Sequence, residues 1–164
     1  FLRGRGEDPD RLLHIYADLV NAAVSGRTPG MTISMHLCRG NFRSTWMAQG
    51  GYEPVAEILF NRMNVDAYFM EYDSERAGGF EPLRFLPKGK QVVLGVMTSK
   101  TGALESKDQL KRRIEEAAKF TSLDQLCLSP QCGFASTEEG NLLAEEEQWA
   151  KLSRCVEVAR EVWG

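Results

Sequence analysis

The sequence predicts an α/β protein built on a parallel sheet, and three observations carry that prediction. Short apolar strands alternate with amphipathic helices along the chain, the pattern of repeated β/α units. The segment QVVLGVMT, residues 91–98, is a continuous β-branched run of the kind buried on both faces of a parallel sheet. Four strand–helix units are half of a closed form: an eight-unit barrel takes about 250 residues, more than the 164 of this chain. A small open doubly wound sheet is the alternative, but no G-x-G-x-x-G or Walker-type sequence supports a nucleotide-binding version of it.

The elements follow in order. Asp8-Pro9 is a cap residue followed by proline at a first-turn position. Leu12, Ile15, Tyr16, Leu19, Val20 and Ala23 then recur at helical spacing, and Gly26 ends the run. After the turn Arg27-Thr28-Pro29-Gly30 comes MTISMHLC, Met31 to Cys38, read as a buried strand. Gly50-Gly51 breaks the chain, and Val55, Ile58, Leu59 and Arg62 give Glu53 to Met63 helical spacing. AYFMEY is a second strand ending near Glu71, followed by a loop through Ala77-Gly78-Gly79-Phe80-Glu81-Pro82 and then the run at 91–98. Ser106 caps a helix with Leu110, Ile114, Ala117 and Ala118 inside and Lys111, Arg112, Glu115 and Glu116 outside. LCLSPQC, Leu126 to Cys132, is the fourth strand. The last helix, Glu145 to Trp163, is expected to bury Trp149, Leu152, Val156, Ala159 and Trp163.

Bulk properties narrow the function classes. Hydrophobic residues at 43% and charged residues at 26% are those of an ordinary globular domain. A net charge of −3 gives no electrostatic reason to expect nucleic acid or an anionic membrane as partner. No run has the length of a membrane-spanning helix, and the N-terminus lacks an apolar signal core, so a cytoplasmic location is expected. Four irregularly spaced cysteines do not make a disulfide framework; in such a chain they serve as ligands, nucleophiles or core residues.

Working groups in barrels sit at the carboxyl ends of strands. Here those ends carry His36 and Cys38, then Glu71, then Cys132. His36 and Cys38 are two apart on an extended segment, so both leave the same face and can grip one ion. Imidazole, thiolate and carboxylate together are a zinc set, and thiolates favour zinc over magnesium or calcium. Two thiolates and one carboxylate outweigh a divalent ion by one charge. Such a site activates water poorly but keeps a bound thiol deprotonated, which favours alkyl transfer to sulfur over hydrolysis.

The segments MHLCRGN, YFMEY and LSPQCGF resemble the zinc-binding motifs of the cobalamin-independent methionine synthases. The chain is most similar to the short, methionine-synthase-II-like members, and SKTGALESKD and CVEVAREVWG extend the likeness over essentially all of it. The resemblance implies the C-terminal half of a (βα)8 TIM barrel of the uroporphyrinogen decarboxylase and methionine synthase type, with four βα units forming one domain over residues 1–164. It implies a zinc-dependent S-methyltransferase in methionine biosynthesis, with His36, Cys38, Glu71 and Cys132 as ligands. The methyl group would pass from a methyl-tetrahydrofolate-type donor to the thiol of homocysteine, which would displace water or the more labile glutamate. Long methionine synthases end the third strand with a histidine for proton handling; Lys100, in Thr98-Ser99-Lys100-Thr101, replaces it here by position and is the candidate catalytic residue. The acidic substrate residues of the family's earlier strands lie outside this sequence.

Arg39 is a candidate carboxylate clamp, and Asp73, Ser74 and Arg76 are candidates for the amino-acid end of a substrate. Ser129 and Gln131 flank Cys132 and would orient it. Cys127, Cys155, His14, Trp46, Trp149 and Trp163 read as structural, and Lys111-Arg112-Arg113 as a wet helix face. Two rival expectations stand beside the leading one: zinc-dependent alkyl transfer to another thiol, as in epoxyalkane–coenzyme M transferases, and a non-catalytic zinc-binding half-barrel. A half-barrel exposes two sheet edges, so self-association as a homodimer is expected.

Overall fold

The structure is a computed structural model that describes residues 2–135 and 137–164. Four strands, β1 (Ser34–Leu37), β2 (Ala67–Glu71), β3 (Gln91–Met97) and β4 (Leu126–Pro130), form one sheet in the order β1-β2-β3-β4. Every pairing is parallel. Helices α1 (Pro9–Val24), α2 (Glu53–Arg62), α3 (Lys107–Ala117) and α4 (Glu145–Trp163) accompany them. β1 is shorter than the sequence run suggested, because Met31–Ile33 does not join the ladder.

Local chemistry sets the helix starts. Asp8 accepts a hydrogen bond from the Asp10 amide at 3.0 Å, with Pro9 in the first turn of α1. Ser106 and Gln109 form a reciprocal capping box on α3. The α2 end is closed by a side chain from elsewhere: Lys90 Nζ donates to the carbonyls of Phe60 (2.8 Å) and Met63 (2.5 Å).

The core lies on the helix side of the sheet. Tyr68 and Met70 of β2, Val92, Leu94 and Val96 of β3, and Leu126 of β4 are buried there with Leu59 and Phe60 of α2 and Leu110 and Ile114 of α3. Strand alternation sends Ser34, His36, Phe69 and Glu71 to the other face, the inner face of the curved sheet. That face is partly open: Phe69 and the His36 side chain remain about one third exposed, at 37% and 36%.

The loop expected between β2 and β3 holds two short 3-10 turns, Glu75–Ala77 and Glu81–Phe85, which cover the sheet with Pro82, Leu83 and Phe80 filling the space. Two details depart from the sequence expectation. In α4 the inward stripe is Lys151, Cys155, Val158 and Val162, whereas Trp149 and Val156 are exposed. The helix is rotated by about one residue from the apolar count, because Lys151 is wholly buried in an ion pair with Glu105. In α1, Ile15, Tyr16 and Leu19 are exposed and only Ala17 is fully buried; α1 packs chiefly on α2.

Candidate metal centre

The carboxyl ends of β1, β2 and β4 bring four donors together. One ligand atom from each of His36, Cys38, Glu71 and Cys132 lies within 4.8 Å of every other. His36 projects from β1 and Cys38 follows it by two residues, so Leu37 between them faces the helices while both donors face the inner side. Two metal–sulfur bonds of about 2.3 Å at the tetrahedral angle place their sulfurs about 3.8 Å apart. The Cys38 and Cys132 sulfurs are separated by 3.8 Å. His36 Nε2 lies 3.6 Å from Glu71 Oε1. The donor types and their spacing fit zinc.

The electrostatics fit a cation as well. Hydrogen bonding to Cys132 and then to Glu71 raises the His36 imidazole to about 10, against the lowering effect of burial. The four groups concentrate negative potential on the point they share, so that a proton is held far above its ordinary affinity. A divalent ion satisfies the same field.

Glu71 is completely buried. Burial pushes its carboxyl up, but His36, the Arg39 amide, the Gln131 amide and the Lys100 charge together hold it below the usual range. Oε1 accepts from the Arg39 backbone amide at 3.0 Å, while Oε2 is buried without a hydrogen bond, free to serve as a ligand. The Glu71 backbone amide donates to Tyr52 Oη at 2.9 Å, which ties the strand end to the start of α2. Cys38 Sγ accepts from the Gly40 amide at 3.3 Å. Gly40 has φ +95°, and a Cβ there would meet the Met47 nitrogen at 2.8 Å, so the turn needs glycine on both counts.

The substrate candidates are placed less simply. Arg39 is buried: its guanidinium stacks 4.2 Å over Tyr52 and donates to the Arg76 carbonyl at 3.2 Å. Its contribution to the site is the backbone amide on Glu71, and a role as carboxylate clamp finds no support in that placement. Asp73 and Arg76 form a buried ion pair at 3.1 Å, and Arg76 Nε donates to Ser74 Oγ at 3.4 Å. Asp73 is therefore spoken for, while Ser74 stays exposed at the rim. Lys100 does reach the centre: Nζ donates to Gln131 Oε1 at 2.7 Å, and burial lowers its ammonium, opposed by Asp73 and Glu71.

Residues passed over in the sequence knit the rim. Asn41 donates to the Gly133 carbonyl at 2.7 Å, and Asn141 donates to the Ser99 carbonyl at 2.8 Å, joining the loops after β1, β3 and β4. Tyr52 carried a faint signal, an aromatic residue placed directly between a Gly-Gly break and a helix. A cavity of about 310 Å³, lined by His36, Phe69 and residues 129–133, opens beside the donors on the inner face. A larger one, about 510 Å³, lies between Tyr72–Glu75 and α3 and touches none of the four.

A parallel strand–helix sheet whose strand ends gather histidine, thiol and carboxylate donors defines a β/α half-barrel with a candidate metal site. The model of the cobalamin-independent synthase catalytic domain matches residues 5–161, and the chain belongs to that family. It is 58% identical over 163 residues to the uncharacterized protein YxjH of Bacillus subtilis, covering 99% of this chain and 43% of that protein. It is 24% identical over 157 residues to the 5-methyltetrahydropteroyltriglutamate–homocysteine methyltransferase of Bacillus licheniformis, covering 96% of this chain and 18% of that one. The crystal structure of a putative vitamin-B12 independent methionine synthase from Listeria monocytogenes superposes with a TM-score of 0.76 at 40% identity, over 97% of this chain and 43% of that one. The chain thus spans less than half the length of each. Four parallel strands with four helices correspond to half of that family's barrel. No helix among the described residues is long and apolar enough to cross a membrane.

Proposed function

We propose that the chain is the thiol-activating half of a zinc-dependent methyltransferase that transfers a methyl group from a methyl-tetrahydrofolate-type donor to homocysteine, forming methionine. The observation that supports this most is the convergence of His36, Cys38, Glu71 and Cys132 within 4.8 Å. The name of the Bacillus licheniformis relative supplies the donor and acceptor classes. A zinc ion held by these four residues would keep a substrate thiol deprotonated at neutral pH. The chain's own residues do the rest. The cavity beside His36 and Cys132 admits the thiol end of the acceptor, and Phe69 gives it an apolar wall. As the methyl leaves the donor nitrogen for sulfur, that nitrogen gains an electron pair and needs a proton. Lys100, half-buried and with its ammonium lowered, is the group assigned to proton handling. Ser74, exposed in the loop after β2, is the residue assigned to the amino-acid end of the acceptor.

Metal analysis of the purified chain tests the reading, with homocysteine and other thiols compared as ligands. About one zinc per chain is expected, lost in Cys38→Ser and Cys132→Ser. A metal-free chain would refute it. Zinc with no affinity for any thiol would leave a non-catalytic half-barrel, and preference for another thiol would move the activity to a different acceptor. The edges of β1 and β4 are unpaired among the described residues, and we infer that they associate with a second copy; sedimentation as a lone monomer would refute that.

A further inference from the structure

Glu71 and Gln131 hold two buried polar atoms that complement each other. Gln131, only 2% exposed, immediately precedes the donor Cys132. Its Oε1 accepts from Lys100 Nζ at 2.7 Å and from Ser99 Oγ at 3.0 Å. Two donors on one end settle which end of the carboxamide is oxygen, so Nε2 is directed away from them. Nε2 is buried with no partner at hydrogen-bonding distance, and so is Glu71 Oε2.

The sheet brings the two side chains together by leaving one out. Gly95 of β3 pairs with Glu71, and an added Cβ there would lie 2.8 Å from Gln131 Cα. The bare glycine lets Gln131 close on the Glu71 strand end. Oε1 of Glu71 is fixed by the Arg39 amide, so the carboxylate can turn about that anchor and exchange what Oε2 touches.

We propose that Gln131 is a positioning residue that receives Glu71 when a substrate thiol enters the donor set: its Nε2–H donates to the carboxylate oxygen that the thiolate displaces. The inference rests on the thiol-alkylation reading above. The exchange balances. The thiol gives its proton to buffer, one anion replaces another among the donors, and Glu71 stays ionised on the Gln131 and Arg39 N–H groups. Lys100 and Ser99 keep the amide turned the right way.

The test uses the chain loaded with cobalt(II) and titrated with homocysteine, read by sulfur-to-cobalt absorption. Gln131→Met keeps the volume and removes the amide. A hydrogen bond to a charged group, lost from one side of the exchange, raises the thiol midpoint about tenfold or more. Cobalt affinity by chelator competition is expected to stay within about threefold of wild type, a split that a merely structural role would not produce. Lys100→Met, which keeps Gln131 and removes one donor fixing it, is expected to raise the midpoint about threefold and covers the case in which Gln131→Met does not fold. Unchanged midpoints in both variants would overturn the proposal alone, as would cobalt affinity falling in step with thiol affinity. A wild-type chain that binds cobalt but shows no new absorption with homocysteine would overturn the thiol reading and the hand-off with it.

Discussion

Replacing Lys151 by methionine should destabilise the fold by about 3 kcal/mol, and the figure follows from where its ammonium sits. Lys151 is wholly buried, with Nζ 2.9 Å from Glu105 Oε2 and 2.5 Å from the Ala103 carbonyl. Breaking a buried pair from one side costs about 3–5 kcal/mol, because the remaining charge is left without a partner. The Glu105 side chain is 20% exposed, and its other oxygen still accepts from the Thr98 amide at 2.8 Å, so the low end of that range applies. For a chain of this size about 3 kcal/mol lowers the melting temperature by about 6–12 °C. Urea and thermal unfolding followed by circular dichroism measure it. Adding Glu105→Gln to Lys151→Met removes the stranded charge and should restore about half of the loss. A single variant within about 0.5 kcal/mol of wild type would refute the assignment of α4 register to this pair. The same variant loosens the loop that carries Ser99 and Lys100, and the Thr98 amide should exchange faster with deuterium.

Two further outcomes are expected. Gly95→Ala sets a Cβ 2.8 Å from both Gln131 Cα and the Met70 carbonyl oxygen, two backbone groups that cannot swing aside, so it should cost about 1–3 kcal/mol and weaken metal retention; an unchanged melting temperature with full metal content would contradict this. Glu161 accepts from Lys107 and Lys111, which hold its carboxyl down at about 2. A carboxyl lowered in the folded state adds stability above its ordinary value of about 4.3 and loses it as pH falls toward about 2. The melting temperature difference between wild type and Glu161→Gln should therefore be full at pH 6, close between about pH 4 and 2, and shrink in high salt; a difference independent of pH would contradict the linkage.

Much of the frame was legible because the strands announce themselves by composition. Val92, Val93, Leu94 and Val96 could hardly be anything but a buried parallel strand, and the Ser106 cap marked the start of α3 to the residue. The donors were legible for a related reason: His36, Cys38, Glu71 and Cys132 lie at or just beyond strand ends, where a parallel sheet collects side chains from distant parts of the chain. What apolar counting could not show was a lysine turned inward. Trp149, Val156 and Lys151 share α4, and hydrophobicity alone ranks the first two as core; Glu105, on a remote loop, reverses the order. The surroundings of Arg39 were no more legible, since Tyr52 under its guanidinium and the Arg76 carbonyl that accepts from it come from distant parts of the chain. The β2–β3 crossover had no helical period to read, and two 3-10 turns are what that sequence makes.

The four donors also record the bend of the sheet. Cys38 follows β1 and Cys132 follows β4, the two outermost strands. Laid flat, strands three places apart would stand about 14 Å from each other, yet these sulfurs are 3.8 Å apart. An ion bridging them would work as a clasp across the open mouth, joining segments 94 residues distant in the chain. Any strain that flattened the sheet would first have to pull that clasp apart, so grip on an ion and curvature of the half-barrel would rise and fall together.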